Sequence, residues 1–410
     1  MKKIAHFIII LLLQPVCSLL VAQNDLKSLD ECINMAMEEN LSLKAKRLSV
    51  EKTKNLQGTA FNIGKTGLAL GQDLTSGGNP DNSLTINQEF EFPSLYVTRF
   101  RLLKAETQLE KNQLVLTEQL LIKELSSLYY QLLCQKEIIK ILQQQDTLYH
   151  SFLFLATAKY QAGDAGRLEQ MYAERMCQEN SLSLQKAHQE YQNLLLQLQS
   201  VLNSAQIVET KENYLPQLKA NASNNKLSGS PILSILEQQQ KVSQKRYSLQ
   251  SQKFIPEFHF SLGNQLMLPN VNPYHVSRDK FTQGDFLYFE VGLKIPLFFG
   301  EQLAVTKAAK KEVEIAKIEH NITSQQLKNE QIIAFNEHLQ LLKNVDYYNT
   351  TGKEQAKTII QLSQLSYEKG EINYIEYAQN MKTAFDIYLQ CANTLNQWNQ
   401  NILLLNYLNQ

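Results

Sequence analysis

From Ser94 to Ala162 the chain runs without a Pro or Gly, and Leu, Ile and Phe recur there at helical spacing. A continuous helix over that span is roughly 100 Å long, where helices of globular proteins average ~10–14 residues. Such a segment cannot enclose a core of its own and has to pack lengthwise on other long helices. The second half supplies a matching one. Leu303 to Lys369 repeats the pattern with Gly352 as its blemish, and Leu182 to Leu202 and Ala384 to Leu408 read as returning helices.

The two halves are copies at an offset of about 205 residues. Lys159-Tyr160-Gln161-Ala162-Gly163-Asp164 returns as Ser366-Tyr367-Glu368-Lys369-Gly370-Glu371, and Glu169 and Glu376 follow the two glycines at the same distance. Glu91-Phe92-Pro93 matches Lys294-Ile295-Pro296, and a helix from Leu29 to about Gln57 matches one from Pro231 to about Lys253. Each half reads helix, strand, strand, long helix, turn, helix. The expected organisation is a signal segment at 1–22, a first repeat at 23–205, a linker at 206–229 and a second repeat at 230–410.

Period-two alternation marks the strands, expected at 61–72, 83–92, 257–268 and 285–297. Leu84, Ile86, Phe90 and Phe92 alternate with polar residues, as do Phe258, Phe260 and Leu262, and then Leu287, Phe289, Val291, Leu293 and Ile295. The segment 61–72 is weaker and Gly-rich, and 75–80 and 269–284 supply the turns. One apolar and one polar face over about ten residues fits a transmembrane barrel strand. A soluble sheet lying on helices has the same alternation, but helices this long do not fold back over so few strands. Four strands cannot close a barrel, and open edges in lipid leave backbone groups unpaired, so further copies must complete the sheet. On this reading Phe289 and Val291 face lipid and Ser261 faces a wet lumen that tolerates Arg.

Met1-Lys2-Lys3, the apolar run Phe7 to Leu13 and the small Ala22 before Gln23 form a secretory signal. Pro15 and Val16 stand before Cys17 where acylation would want a small residue, which argues against a lipoprotein. No later segment has the ~18 continuous apolar residues of a spanning helix. Export makes disulfides possible among Cys32, Cys134, Cys177 and Cys391. A hairpin turning near Gly163 offsets Cys134 from Cys177 by roughly 25 Å, so all four read as small buried hydrophobes.

Forty basic residues balance forty acidic ones, which excludes a nucleic-acid partner held by phosphate contacts. No nucleotide loop, Ser/His/Asp set or metal-protease motif appears, so no catalytic residue, metal site or cofactor is expected. His320 and His338 lie too far apart on one helix to share an ion. Met171, Met176 and Met381 near the turns read as packing residues. Tyr367, Tyr374 and Tyr377 form a cluster that suits helix packing or a partner surface equally.

Taken together, the opening Ser28-Leu29-Asp30-Glu31-Cys32-Ile33 helix with Glu39-Asn40, the prolines Pro93 and Pro296, Phe254-Ile255-Pro256-Glu257-Phe258 and the two Tyr-x-x-Gly tips resemble the TolC-type outer-membrane efflux family. The resemblance covers essentially the whole mature chain. It implies a mainly α protein with a small transmembrane β part, a homotrimer forming a twelve-stranded barrel in outer-membrane lipid and a helical tunnel through the periplasm. It implies a passive duct joined to an inner-membrane pump of the RND type through a periplasmic adaptor, with no enzymatic activity.

By the same resemblance, the adaptor meets the tips at 160–167 and 367–373, with Tyr160, Gly163, Asp164, Tyr367, Gly370 and Glu371 as contact residues. Asp164 and Glu371 replace an apolar residue usual after the Gly, which makes that contact more polar here. The tunnel gate maps to Glu376, with Gln379 where relatives carry a second carboxylate and Glu169 as the repeat equivalent. For Glu169 alone, an ordinary solvated surface charge is the simpler reading. Gln88-Glu89-Phe90-Glu91-Phe92-Pro93 and the 159–164 tip look like the CzcC- and CusC-like branch serving heavy-metal cation pumps. The alternatives are a multidrug or other small-molecule duct, or a periplasmic coiled-coil scaffold without a pore.

Overall fold

The computed structural model describes residues 25–73, 81–219, 230–266 and 286–409. The signal segment with Cys17, both turn stretches and linker residues 220–229 lie outside the described residues. The chain is mainly helical with a small β part, in two units that interleave along the sequence. One unit gathers residues 42–120, 221–335 and 405–410; the other gathers 1–41, 121–220 and 336–404.

The first of these units holds a four-stranded antiparallel sheet. Its strands are β2 (Gly67–Asp73), β3 (Asp81–Phe90), β5 (Glu257–Leu266) and β6 (Phe286–Lys294), in the order β2-β3-β5-β6. The register collects the apolar residues on one face. Leu68 stands opposite Ile86, Ile86 opposite Leu262 and Leu262 opposite Phe289. In the next rows Phe260 opposes Val291, and Phe90 opposes Phe258, which opposes Leu293. Leu287, Phe289, Val291 and Leu293 are all exposed, Phe289 at 75 %. The other face carries Asn87, Ser261 and Glu290 in one row and Thr85, Gly263 and Tyr288 in another. A Cβ on Gly263 would overlap the Tyr288 ring, so the glycine makes room for it. Among the described residues, strands β2 and β6 are the edges of this sheet.

Three expectations change here. Residues 57–61 form a 3-10 turn, and pairing begins only at Gly67 rather than at 61. Strand β6 ends at Lys294, short of 297. Ser261 lies on the polar face but is only 5 % exposed, so it is not a roomy position for Arg.

Around the sheet, helix α2 (Leu41–Leu56) packs on α3 (Pro93–Ala162), where the Lys46 amine meets Glu110 at 2.8 Å. The helix α5 (Pro231–Gln252) packs Val242 and Leu249 on Leu95 and Leu102 of α3. Arg99 meets Glu91 at 2.7 Å, bracing the step from β3 into α3.

In the other unit α1 (Leu29–Glu39) is opened by a reciprocal cap between Ser28 and Glu31. Asn40 breaks the expected single helix at its end with extended backbone. Helix α3 continues to Ala162 and returns as α4 (Arg167–Leu202), which starts at the turn rather than at Leu182. The second long run is α6 (Gly300–Tyr347), a π turn at Tyr348–Gly352 and α7 (Lys353–Glu368), with α8 (Tyr374–Leu408) returning. Gly352 is thus a π position. It is buried, and a Cβ there would come within 3.0 Å of Tyr348 Cδ1.

Part of the expected linker has structure of its own. Strand β4 (Val208–Thr210) pairs in parallel with β1 (Asp25–Lys27). The Trp398 indole N–H donates to the Leu218 carbonyl at 2.8 Å. Asn399 accepts from the Leu218 N–H at 2.9 Å and donates to the Pro216 carbonyl at 2.8 Å. None of the four described cysteines forms a disulfide and all are buried, and burial pushes the Cys134 thiol up to about 12. Among the described residues no helix is long and apolar enough to cross a membrane.

Candidate functional site at the helix-hairpin tips

Both long helical runs end in the same backbone device. Gly163 and Gly370 adopt φ of 82° and 75°, the left-handed region where an L side chain is strained. The Asp164 N–H donates to the Lys159 carbonyl at 2.9 Å and the Gly163 N–H to the Tyr160 carbonyl at 3.1 Å. In the second tip the Glu371 N–H donates to Ser366 at 2.8 Å and the Gly370 N–H to Tyr367 at 3.1 Å. This paired closure satisfies the last carbonyls of each helix, which is why the six-residue motif is repeated.

The side chains at the two tips are not equivalent. Tyr160 is 40 % exposed, with the Arg167 guanidinium 5.6 Å from its ring centre. Tyr367 is 3 % exposed, because Phe152 of the other hairpin lies 5.4 Å from it and Tyr377 stacks at 4.7 Å. The Lys159 amine sits 4.1 Å over the Tyr367 ring, and the Tyr367 hydroxyl donates to the Glu169 carboxylate. Expected as a docking residue, Tyr367 is instead part of the core joining the two hairpins, and Tyr160 is the exposed member of the pair. Tyr149, Ala156, Ala173, Met176, Cys177, Ala378 and Met381 complete that core. Met171 lies outside it, exposed.

The two carboxylates differ for a local reason. Asn373 precedes α8, and its side chain accepts from the Ile375 and Glu376 N–H groups, both at 2.9 Å. The Glu376 carboxylate accepts in return from the Asn373 N–H at 3.1 Å, a reciprocal cap on an exposed first turn. Gly166 stands at the corresponding position of α4 and has no side chain to cap with. Glu169 therefore has no such partner and reaches across to Tyr367. That link was not legible in the sequence, because the partner belongs to the other repeat. Glu371 is drawn back to its own tip, accepting from the Ser366 hydroxyl at 2.9 Å, and Asp164 is exposed.

A groove of about 630 Å³ runs between α3, α4 and α8, with Gln379, Arg175, Lys382 and Asp386 among its lining residues. Gln379 and Glu376 lie about a turn apart and are both exposed, while Tyr377 and Ala378 between them are buried. Among the described residues no cluster of His, Cys, Asp and Glu could hold a metal ion.

Burial disfavours the phenolate form of the core tyrosines and so raises the pH at which they ionise. Tyr377 is pushed up to about 12, and Tyr367 is raised by burial and by its bond to Glu169. An unfolded tyrosine ionises near 10, so above that pH the unfolded chain sheds protons first. The contribution of these groups to stability is complete below about pH 10 and falls as pH rises toward 12. Ultraviolet absorbance should therefore show phenolate forming in two stages, with the late fraction accompanied by loss of near-ultraviolet circular dichroism. A single transition near pH 10 with the fold intact would contradict the packing described.

Residues 222–408 match the model of the outer membrane efflux protein family. No curated protein sequence matches the chain. Solved structures share its fold at low identity. A membrane protein from Pseudomonas aeruginosa is 15 % identical with a TM-score of 0.79, covering 94 % of this chain and 90 % of that one. The Campylobacter jejuni CmeC outer membrane channel is 13 % identical with a TM-score of 0.76, covering 93 % and 85 %. CusC, described as forming a transmembrane channel, is 14 % identical with a TM-score of 0.78, covering 93 % and 92 %. The fold is that of outer-membrane efflux channels.

Proposed function

We propose that this chain is the outer-membrane component of a tripartite efflux system. It is a passive duct located in the outer membrane with a periplasmic extension. Three copies each contribute four strands to a twelve-stranded barrel. A periplasmic adaptor meets the tips, chiefly at Tyr160, Gly163, Asp164, Gly370 and Glu371, and connects the duct to an inner-membrane pump of the RND type. The observation that carries this reading is the in-register apolar face of a sheet with both edges open, on a chain whose duplicated helices end in matched turns. A pore-free periplasmic scaffold would leave that exposed face without a purpose.

The proposed gate is a ring of three Glu376 side chains at the tunnel end, with Gln379 a turn further along. Three carboxylates around one axis concentrate cations. In planar bilayers the detergent-purified trimer should conduct with cation preference. Glu376→Gln should weaken that preference and Glu376→Lys reverse it. Glu169→Gln is the control, since it keeps an acceptor for the Tyr367 hydroxyl and should change selectivity little. A conducting Glu376→Lys channel with unaltered selectivity would remove Glu376 from the gate, and a water-soluble monomer without conductance would remove the duct.

Within this class the proposed cargo is a heavy-metal cation, supported by the 88–93 strand end and the 159–164 tip. Loss of the gene should then sensitise cells to copper, silver or zinc salts. Sensitivity confined to dyes and detergents would assign small-molecule export instead.

A further inference from the structure

The two repeats differ at one junction. Only Glu91 and Phe92 separate β3 from α3, whereas 295–299 separate β6 from α6. Gly163 lies 70 residues after Pro93, where α3 begins, and Gly370 lies 70 residues after Gly300, where α6 begins. The helical runs match in length, so the second repeat carries its additional residues in the link. After Pro296 these are Leu297, Phe298 and Phe299.

An added link on a water-exposed surface would ordinarily be polar. This one is apolar throughout, and the strand's alternation stops there. Phe299 leans on Phe254 with ring centres 6.3 Å apart. Leu297 is 76 % exposed and Phe298 95 %, so nothing described in this chain covers them. They continue the exposed apolar series of Leu287, Phe289, Val291, Leu293 and Ile295. From Leu287 to Lys294, where β6 ends, a strand rising ~3.4 Å per residue and tilted by ~40° covers about 18 Å of membrane thickness. The apolar band of a transmembrane barrel is ~25 Å tall and is flanked by aromatic girdles. Phe298 therefore falls at the margin of that band. A neighbouring copy that closes the sheet against β6 engages its backbone groups and leaves this apolar series open to lipid.

We propose that Leu297 and Phe298 form a lipid anchor that seats the start of α6 at the acyl–headgroup boundary of a phospholipid leaflet. The proposal rests on the membrane-spanning reading of the sheet, and its test separates the two. Phe298→Trp and Phe289→Trp proteins would be reconstituted in phosphatidylcholine vesicles brominated either near the top or near the end of the acyl chains. Trp398, the one native tryptophan, is buried, and its emission in the parent protein is subtracted. Phe289→Trp should be quenched most by deep bromines. Phe298→Trp should be quenched at least two-fold more by shallow than by deep bromines. If Phe289→Trp is quenched and Phe298→Trp is not, water or a second copy covers the link, and the anchor is overturned while the barrel stands. Equal quenching of Phe298→Trp at both depths overturns the boundary placement. If neither is quenched, the membrane reading fails and the anchor fails with it.

Discussion

Replacing Phe289 by Arg should cost about 2–4 kcal/mol per copy, the penalty for a cation near mid-bilayer on a barrel's lipid face. Phe289 stands opposite Leu262, Leu262 opposite Ile86 and Ile86 opposite Leu68, so the apolar row is four strands wide and offers no polar cross-strand neighbour to receive the guanidinium. Three copies compound the effect, and the variant should fail to form a detergent-stable oligomer. The matched control is Glu290→Arg, one residue along on the exposed polar face. Ser261→Arg is a poor control despite lying on that face. It is enclosed between Asn87 and Glu290, and overpacking there should itself cost about 1–3 kcal/mol. Folding titrations into lipid vesicles would decide the matter. Equal tolerance of Arg at 289 and 290 would mean that the two faces are misassigned.

The second large effect is expected from Val at both Gly163 and Gly370. A Cβ would meet nothing within 4 Å at either position, so the penalty comes from backbone conformation alone. At φ of 82° and 75° a β-branched residue is a true outlier, costing on the order of 1–3 kcal/mol at each tip. The turn should unwind locally and lose the paired bonds to residues 159, 160, 366 and 367. Adaptor binding should fall at least ten-fold while membrane insertion is unchanged, because the strands lie in the other unit. Gly→Asn at both sites should be much milder, since Asn tolerates the left-handed region. Undiminished adaptor capture by the double Val protein would show that docking lies elsewhere.

The legible parts of this fold were those with a strong single-residue period. Strands β3, β5 and β6 could be found because one face is apolar and the other polar, and α3 because nothing in 70 residues interrupts it. Strand β2 was blurred because Gly67, Ala69 and Gly71 give its second face no polarity. The pairing of β1 with β4 is three residues long and leaves no period to read. The π turn announced itself only as Gly352. At the tips the glycines, and so the turns, could be read directly. The burial of Tyr367 and the exposure of Tyr160 could not, since both stand in the same motif. The difference comes from Phe152 and Glu169, contributed by the other hairpin.

That difference has a numerical consequence for any assembly of three such chains. The six tips would fall into two alternating kinds, three with an open tyrosine and three with it sealed inside. A partner that meets all six must therefore bind in two modes, and one that recognises only the open kind saturates at three. Counting bound adaptors per assembly by native mass spectrometry would distinguish a ring read as six equal places from one read as three.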